Sequence, residues 1–278
     1  MECRLVALGK IKRFWRACAD EGIARAITLA LHWAAARIFP YWAFARIFPS
    51  PAGPLVSVLN DLSASNSFTI VQIGAYIGKT GNDPLARFLM ATLAGPGRRN
   101  AKVVLVEPVQ EYFEALKKNY SGLGGVWCEN TAIAEKEGAR DFWRIKVDPT
   151  LFGLPGWLAQ LGSLRSDRMT KLWENYEKDS SLQKFYLEHR VVEKVRCITF
   201  KQLLDKYQIT DIDLLQIDAE GYDFEILKSI DFSTIRPRFV NYERVLLGDE
   251  EEECREMMPN AGYVLRDWGQ DTLCTRAR

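Results

Sequence analysis

The sequence predicts a doubly wound α/β fold: a mostly parallel sheet closed by an antiparallel C-terminal hairpin, with a helical arm in front. Three observations carry this. From Phe68 onward, short apolar runs of strand length alternate with amphipathic helical segments. Several of those apolar runs end in glycine or carboxylates, the pattern of strands whose carboxyl ends face a ligand. Finally, Tyr263 to Trp268 and Thr272 to Thr275 read as two strands joined tightly through Gly269-Gln270-Asp271.

Residues 1–54 read as a basic amphipathic helical arm and linker, and residues 55–278 as the α/β domain. In the arm, Leu8, Ile11, Trp15 and Cys18 recur at helical spacing, as do Ile23, Ile27, Leu31, Ala34 and Ile38. The segment 36–40 recurs as 45–49, a local duplication, and Ser50-Pro51-Ala52-Gly53-Pro54 reads as the linker. Phe68 to Ala75 is the first strand. Asn82-Asp83-Pro84 opens a helix with a side-chain cap and a proline at its first position, and Gly95-Pro96-Gly97 stops it. Strand Val103 to Val106, helix Gln110 to Tyr120 and strand Val126 to Cys128 complete a run of βαβ units.

An aromatic-rich insertion at about 138–190 interrupts the rhythm, with Trp143, Phe152, Trp157, Trp173, Tyr176, Phe185 and Tyr186. Leu154-Pro155-Gly156-Trp157 within it has the chemistry of a lid loop. Regularity returns with strand Val192 to Ile198, helix Phe200 to Tyr207, strand Ile212 to Ile217 and helix Asp223 to Ile230. Strand Phe239 to Tyr242 and an acidic-fronted helix, Asp249 to Met258, precede the closing pair.

Composition narrows the function classes. The 278 residues carry a formal net charge of +1, so no global field draws the protein onto nucleic acid. Residues 1–49 hold eight basic and three acidic side chains, +5 against −4 for the remainder. A basic amphipathic arm with Phe14 and Trp15 suits a membrane interface, or packing on protein. The six cysteines lie far apart without a Cys-x-x-Cys pair, and Cys128, Cys197 and Cys274 read as small buried hydrophobes of a protein in the reducing cytoplasm. No run is long and apolar enough for a membrane span; Ala26 to Ala36 is short and bounded by Arg25 and Arg37. Asn119-Tyr120-Ser121 is read as a chance glycosylation match.

The chemistry-bearing residues gather at predicted strand ends. Gly74 to Gly81 follows the first strand, where glycine lets backbone approach a ligand closely. Glu107-Pro108 ends the second, where an acidic side chain accepts both hydroxyls of a ribose; Asn130 follows the third as a further cofactor-binding candidate. The glycine spacing is not that of a nicotinamide-dinucleotide site, and no P-loop is present. Asp218-Ala219-Glu220-Gly221-Tyr222 ends the next apolar strand, with Asp223 better placed than either carboxylate before it to cap the following helix. Asn241-Tyr242-Glu243 adds a third carboxylate to the same rim if the two strands are neighbours.

Taken in order, Val71-Gln72-Ile73-Gly74-Ala75-Tyr76-Ile77-Gly78, Val106-Glu107-Pro108, Asp213 to Tyr222 with its Ile-Asp-x-Glu-Gly run, and Asn241-Tyr242-Glu243 resemble the FkbM-type methyltransferase family over roughly residues 68–275. The resemblance implies a Rossmann-like class I methyltransferase sheet. It also implies S-adenosylmethionine as cofactor and hydroxyl groups, often on sugars or polyketides, as methyl acceptors. Gly74, Ala75, Tyr76 and Gly78 would line the methionine portion, Glu107 with Pro108 would hold the ribose, and Asp218 and Glu220 would sit beside the transferring methyl. Two positions depart from the pattern. Gln72 stands where methyltransferases commonly place an acidic residue, and Tyr76 where the family usually has asparagine.

An activated methyl group leaves the protein to align the attack and remove a hydroxyl proton. Glu220, Asp218 and Glu243 are the candidate bases, in that order. His189 is a further candidate, although a lone histidine is more often structural. Mg²⁺ held by the converging carboxylates is a secondary reading. The expected substrate is a small-molecule or lipid-linked glycan acceptor. The alternative is a degenerate cofactor-binding domain acting as a peripheral scaffold.

Overall fold

The computed structural model describes residues 53–80, 83–93, 100–146, 159–167 and 187–277. Contacts divide the chain into two units, Met1–Gly53 and Pro54–Arg278. The arm, its duplication, the lid loop and most aromatics of the insertion lie outside the described residues. No helix among the described residues is long and apolar enough to cross a membrane.

The described elements run α1 (Pro54–Ala64), β1 (Ser67–Ile73), α2 (Pro84–Leu93), β2 (Asn100–Val106), α3 (Gln110–Tyr120), β3 (Val126–Glu129), β4 (Ala132–Ile133), β5 (Gly138–Ile145), β6 (Gly162–Ser163) and β7 (Arg190–Ile198). They continue with α4 (Phe200–Tyr207), β8 (Leu214–Ile217), α5 (Asp223–Lys228), β9 (Phe239–Glu243), a 3-10 turn (Gly248–Glu250), α6 (Glu251–Asn260), β10 (Tyr263–Trp268) and β11 (Asp271–Arg276). Seven strands form one sheet in the order β10-β11-β9-β8-β1-β2-β3. The five on the β3 side pair in parallel, and β9-β11 and β10-β11 pair antiparallel, as the closing hairpin requires. The chain winds outward from β1 to β3, then returns to β8 on the other flank of β1. The carboxyl ends of β1 and β8 are therefore the topological switch point, where such sheets bind ligands.

Side-chain alternation splits the core between the two faces. Phe68, Ile70, Val103, Leu105 and Leu214 pack under α1 and α2, whose buried residues recur at helical spacing. Val71, Ile73, Val104, Val106, Leu215 and Ile217 pack on the opposite face with Leu203, Phe224, Leu227 and Met258. Asp83 caps α2 as its sequence indicates, its Oδ1 accepting from the Leu85 and Ala86 N–H groups at 2.8 and 3.3 Å. A capping box between Thr199 and Gln202 starts α4.

Three expectations need correction. The insertion is not simply an interruption: β5 and β7 pair antiparallel from Gly138↔Cys197 to Ile145↔Arg190, within a second sheet ordered β4-β7-β5-β6. Phe142, Val195, Cys197 and Ile198 carry its apolar side into the same core as the main sheet. The helix after the Asp-Ala-Glu-Gly turn stops at Lys228, and the acidic-fronted helix begins as a 3-10 turn. Cys197, Cys254 and Cys274 are buried, whereas Cys128 is half-buried; all four are free thiols.

Candidate active site

A cavity of about 340 Å³ opens at the switch point. The strand ends that form its floor are laced together. The Gly74 and Ala75 N–H groups both donate to the Val106 carbonyl, at 3.0 and 2.9 Å, and Asp218 N–H donates to the Ile73 carbonyl at 2.9 Å. Gly74 has φ of +80°, and a Cβ there would overlap the carbonyl oxygen of Asp218. Only glycine lets the two strand ends approach this closely.

Glu107 leaves β2 buried beneath Tyr76. Its Oε2 accepts from Tyr76 N–H and its Oε1 from Val109 N–H, both at 2.8 Å. Burial pushes its carboxyl up to about 7, against the opposing effect of these two bonds. Tyr76 itself is left-handed, with φ of +48°, a conformation asparagine adopts more readily than tyrosine. Its ring meets Tyr112 edge-on at 4.6 Å between centroids. Behind Tyr112 stands Arg144, only 4 % exposed, which donates to Glu111 at 2.7 Å and to Glu193 at 2.8 Å. Thus β5 and α3 brace the wall next to Glu107.

The opposite rim is carboxylic. Because β8 pairs in parallel with β9, Asp218 and Glu243 leave adjacent strand ends. Asp218 is exposed at the end of β8, its side chain open to the cavity. Burial, then the charges of Asp223, Asp271 and Asp83, push it up to about 8. Glu220 is held left-handed, φ +50°, in the turn; burial and then Asp218 raise it well above the usual carboxylate range. Glu243 is pushed up to about 11, by burial first and by Asp218 and Glu220 next.

Asp223 does not serve as the helix cap assigned to it. The cap position of α5 is Tyr222, without a side-chain bond. Asp223 is fully buried instead, and its Oδ2 accepts from Ala219 N–H and Gly221 N–H at 3.2 and 3.3 Å. Its Oδ1 accepts from Glu243 N–H at 3.2 Å. One carboxylate therefore fastens the β8 turn to the end of β9, and burial pushes it up to about 6.

Of the sequence-predicted residues, Gly74, Ala75, Tyr76, Glu107, Pro108, Asp218, Glu220 and Glu243 line the cavity. Three others do not. Gly78 (φ +78°) leaves room for the Tyr120 ring of α3. Asn130 Nδ2 braces the floor from behind, donating to the Glu107 and Pro108 carbonyls at 3.0 and 3.1 Å. His189 precedes β7, its carbonyl accepts from Lys146 N–H, and it is not among the residues that line the cavity. Sequence reasoning assigned no site role to Arg144, Gln216, Trp268 and Asp271, which also line the cavity. The signal for Arg144 was a lone cation in the apolar end of a strand; for Trp268 and Asp271 it was their position flanking the hairpin turn. Among the described residues, no three His, Cys, Asp or Glu side chains are placed to hold a metal ion.

Glu107, Asp218 and Asp223 set a sign for pH dependence. All three are raised on folding, so between pH about 4 and about 8 the folded state binds more protons than the unfolded one. Their contribution is fully present below the unfolded values and is lost as pH rises through the folded ones. Thermal melts of the cofactor-free protein are expected to show a melting temperature about 5 °C lower at pH 8 than at pH 5.5. A melting temperature rising over that window would contradict the assignment.

The chain resembles several solved methyltransferases. It is 11% identical to a precorrin-6y C5,15-methyltransferase from Geobacter metallireducens, covering 80% of this chain and 87% of that one, with a TM-score of 0.38. It is 9% identical to a ribosomal protein L11 methylase from Lactobacillus delbrueckii subsp. bulgaricus, covering 80% and 77%, with a TM-score of 0.36. No curated protein sequence matches it. A family model does: the methyltransferase FkbM domain matches residues 72–265, from Gln72 in β1 to Leu265 in β10. That span takes in Gly74, Glu107, the Asp218–Gly221 turn and Glu243, so the chain belongs to the FkbM methyltransferase family and is an S-adenosylmethionine-dependent methyltransferase.

Proposed function

We propose that this methyltransferase acts on a hydroxyl group of a sugar, a glycan or a similar small hydroxylated acceptor, free or lipid-linked. The observation that carries the reading is Asp218: a carboxyl group open to the cavity, raised to about 8, beside the strand-end glycine where a cofactor approaches. A base whose pKa lies near the working pH is the one suited to taking a hydroxyl proton. Asp218 therefore ranks ahead of Glu220 and Glu243 for this role. Glu243, pushed up to about 11 by burial and then by Asp218 and Glu220, lies further from that range.

The residues present fit the cofactor. S-adenosylmethionine, when bound, supplies a methyl group on a positively charged sulfur. Each Glu107 oxygen accepts one backbone N–H and keeps a further lone pair, so the carboxylate can still receive both hydroxyls of a ribose. Gly74 and Ala75 expose backbone between Glu107 and Asp218, where the methionine end would lie. Asp218, in its ionised form, would take the hydroxyl proton, while the new oxygen–methyl bond would form as the sulfur–methyl bond breaks and S-adenosylhomocysteine leaves; Asp223 holds the turn that carries Glu220. The basic pattern of residues 1–49 supports a cytoplasmic enzyme recruited to the membrane surface, where a lipid-linked acceptor resides.

The test is calorimetric titration with S-adenosylmethionine, followed by mass spectrometry of a hydroxylated acceptor panel for methyl ethers. Wild type is expected to bind, and Glu107→Ala to bind about a hundredfold more weakly, since two hydrogen bonds to a charged group are lost. Binding unaffected in Glu107→Ala would remove the ribose assignment. Transfer only to nitrogen acceptors would refute the reading.

A further inference from the structure

The turn that follows β8 is strained beside the cavity. Tyr222 N–H donates to the Ala219 carbonyl at 3.2 Å, which closes a four-residue turn. Both of its central residues are left-handed, Glu220 with φ of +50° and Gly221 with φ of +86°. Asparagine and glycine adopt that geometry readily, and glutamate does not. A side chain kept against its backbone preference points to a functional residue, and Glu220 lines the cavity. Such a turn persists only where its surroundings hold it.

Asp223 holds it from within the main sheet, and the second sheet grips it from the other side. The Tyr222 ring is 4 % exposed and lines the cavity, whereas its hydroxyl engages Glu135 and Arg140, which do not line it. The hydroxyl donates to Glu135 Oε2 at 2.7 Å and accepts from Arg140 Nη1 at 2.8 Å. Arg140 donates to the same Glu135 oxygen at 2.8 Å, and its guanidinium lies 5.5 Å from the Tyr222 ring centroid. Glu135 follows β4 and Arg140 lies on β5. Ser163, on β6, places its Oγ 3.5 Å from the Ala219 carbonyl, at the limit of a hydrogen bond. Both ends of the turn, Ala219 and Tyr222, are therefore met by the second sheet.

Stability alone does not account for the network. The Arg140 and Glu135 side chains are 36 % and 50 % exposed, so without the hydroxyl they would still pair with each other and with water. An ion pair in that setting contributes little to folding. What the hydroxyl adds is direction: it fixes the ring, and with the ring the residue that ends the strained turn.

We propose that Tyr222 is a positioning residue for methyl transfer: Glu135 and Arg140 hold its hydroxyl, and through it the Asp218–Gly221 turn, in line with the reacting group of the acceptor. The second sheet thereby becomes part of what sets turnover. The inference rests on the proposed function in one respect, that acceptor and cofactor meet at this turn.

The experiment compares the full-length protein with Tyr222→Phe, Glu135→Ala, Glu135→Gln and the double variant Tyr222→Phe/Glu135→Ala. Hydrogen exchange across residues 219–222 is read by mass spectrometry. Turnover is read as S-adenosylhomocysteine formed with a panel of methyl glycosides and polyols, at the member that wild type methylates fastest. In Tyr222→Phe, exchange is expected to quicken and kcat to fall, each about tenfold, while acceptor KM and S-adenosylhomocysteine affinity hold. The melting temperature should move by less than about 3 °C. Glu135→Ala should match it, Glu135→Gln should recover most of the loss because its amide oxygen still accepts from the hydroxyl, and the double variant should be no slower than Tyr222→Phe. Wild-type exchange in Tyr222→Phe would overturn the proposal, whether or not a panel member is methylated. So would additive losses, a Glu135→Gln variant as slow as Glu135→Ala, or a fall in kcat matched by lost S-adenosylhomocysteine affinity. Methyl transfer by wild type to nitrogen acceptors alone would instead refute the hydroxyl reading, with the exchange data still deciding the role of Tyr222.

Discussion

Gly74→Ala is expected to lower the melting temperature by at least about 10 °C, corresponding to about 4 kcal/mol or more for a domain of this size. Two costs add at this position. The residue is left-handed at φ +80°, where an L side chain is strained by about 1 kcal/mol. The larger cost is steric, because the new Cβ would overlap the Asp218 carbonyl. That obstacle is backbone at the end of a buried strand, pinned by the Asp218 N–H bond to Ile73, so it has nowhere to move. Gly269→Ala supplies the comparison. Gly269 has φ of +53° but nothing within 4 Å of its would-be Cβ, so only the conformational cost of about 1 kcal/mol applies. Thermal melts of the two variants separate the terms; equal shifts would show that close approach at the switch point contributes nothing. Methyl transfer should fail in Gly74→Ala even below its melting temperature, because β1 and β8 are forced apart beneath Asp218.

What the sequence made legible follows from which forces are local. Helices α3 and α4 were read at their observed boundaries, since apolar spacing within each short segment marks them. The parallel strands were legible because residues buried on both faces form continuous apolar runs. β5 was missed because Gly138 to Ile145 mixes glycine, arginine and aromatics, and its identity as a strand comes from pairing with β7, about fifty residues away in sequence. The same non-locality divided the site. Glu107, Asp218 and Glu243 stand at strand ends, which pattern reading can locate. Arg144 and Asp271 reach the cavity through the second sheet and the hairpin, whose placement no local pattern reveals. His189 shows the converse: its residue type suggested chemistry, yet it is not among the residues that line the cavity.

Asp223→Asn is expected to destabilise the domain by about 4 kcal/mol and to slow turnover about a hundredfold with little change in cofactor affinity. A carboxylate can accept from Ala219, Gly221 and Glu243 N–H groups together. An isosteric amide has one oxygen, so in either orientation its NH₂ group faces at least one of these backbone donors, leaving a buried N–H unsatisfied. The side chain is fully buried, and water cannot make up the loss. The kinetic effect has a separate origin. The three bonds fix the spacing between the turn carrying Glu220 and the strand end carrying Glu243; without them the carboxyl rim loses its alignment against the hydroxyl. Cofactor affinity depends on Glu107 and the β1–β2 ends, which Asp223 does not touch, so kcat should fall while the dissociation constant for S-adenosylmethionine holds. Melting curves, calorimetry and turnover on the same preparation test each part. A variant that loses stability yet keeps wild-type kcat would reduce Asp223 to a core residue, whereas a parallel loss of cofactor binding would show that the two rims of the cavity are not independent.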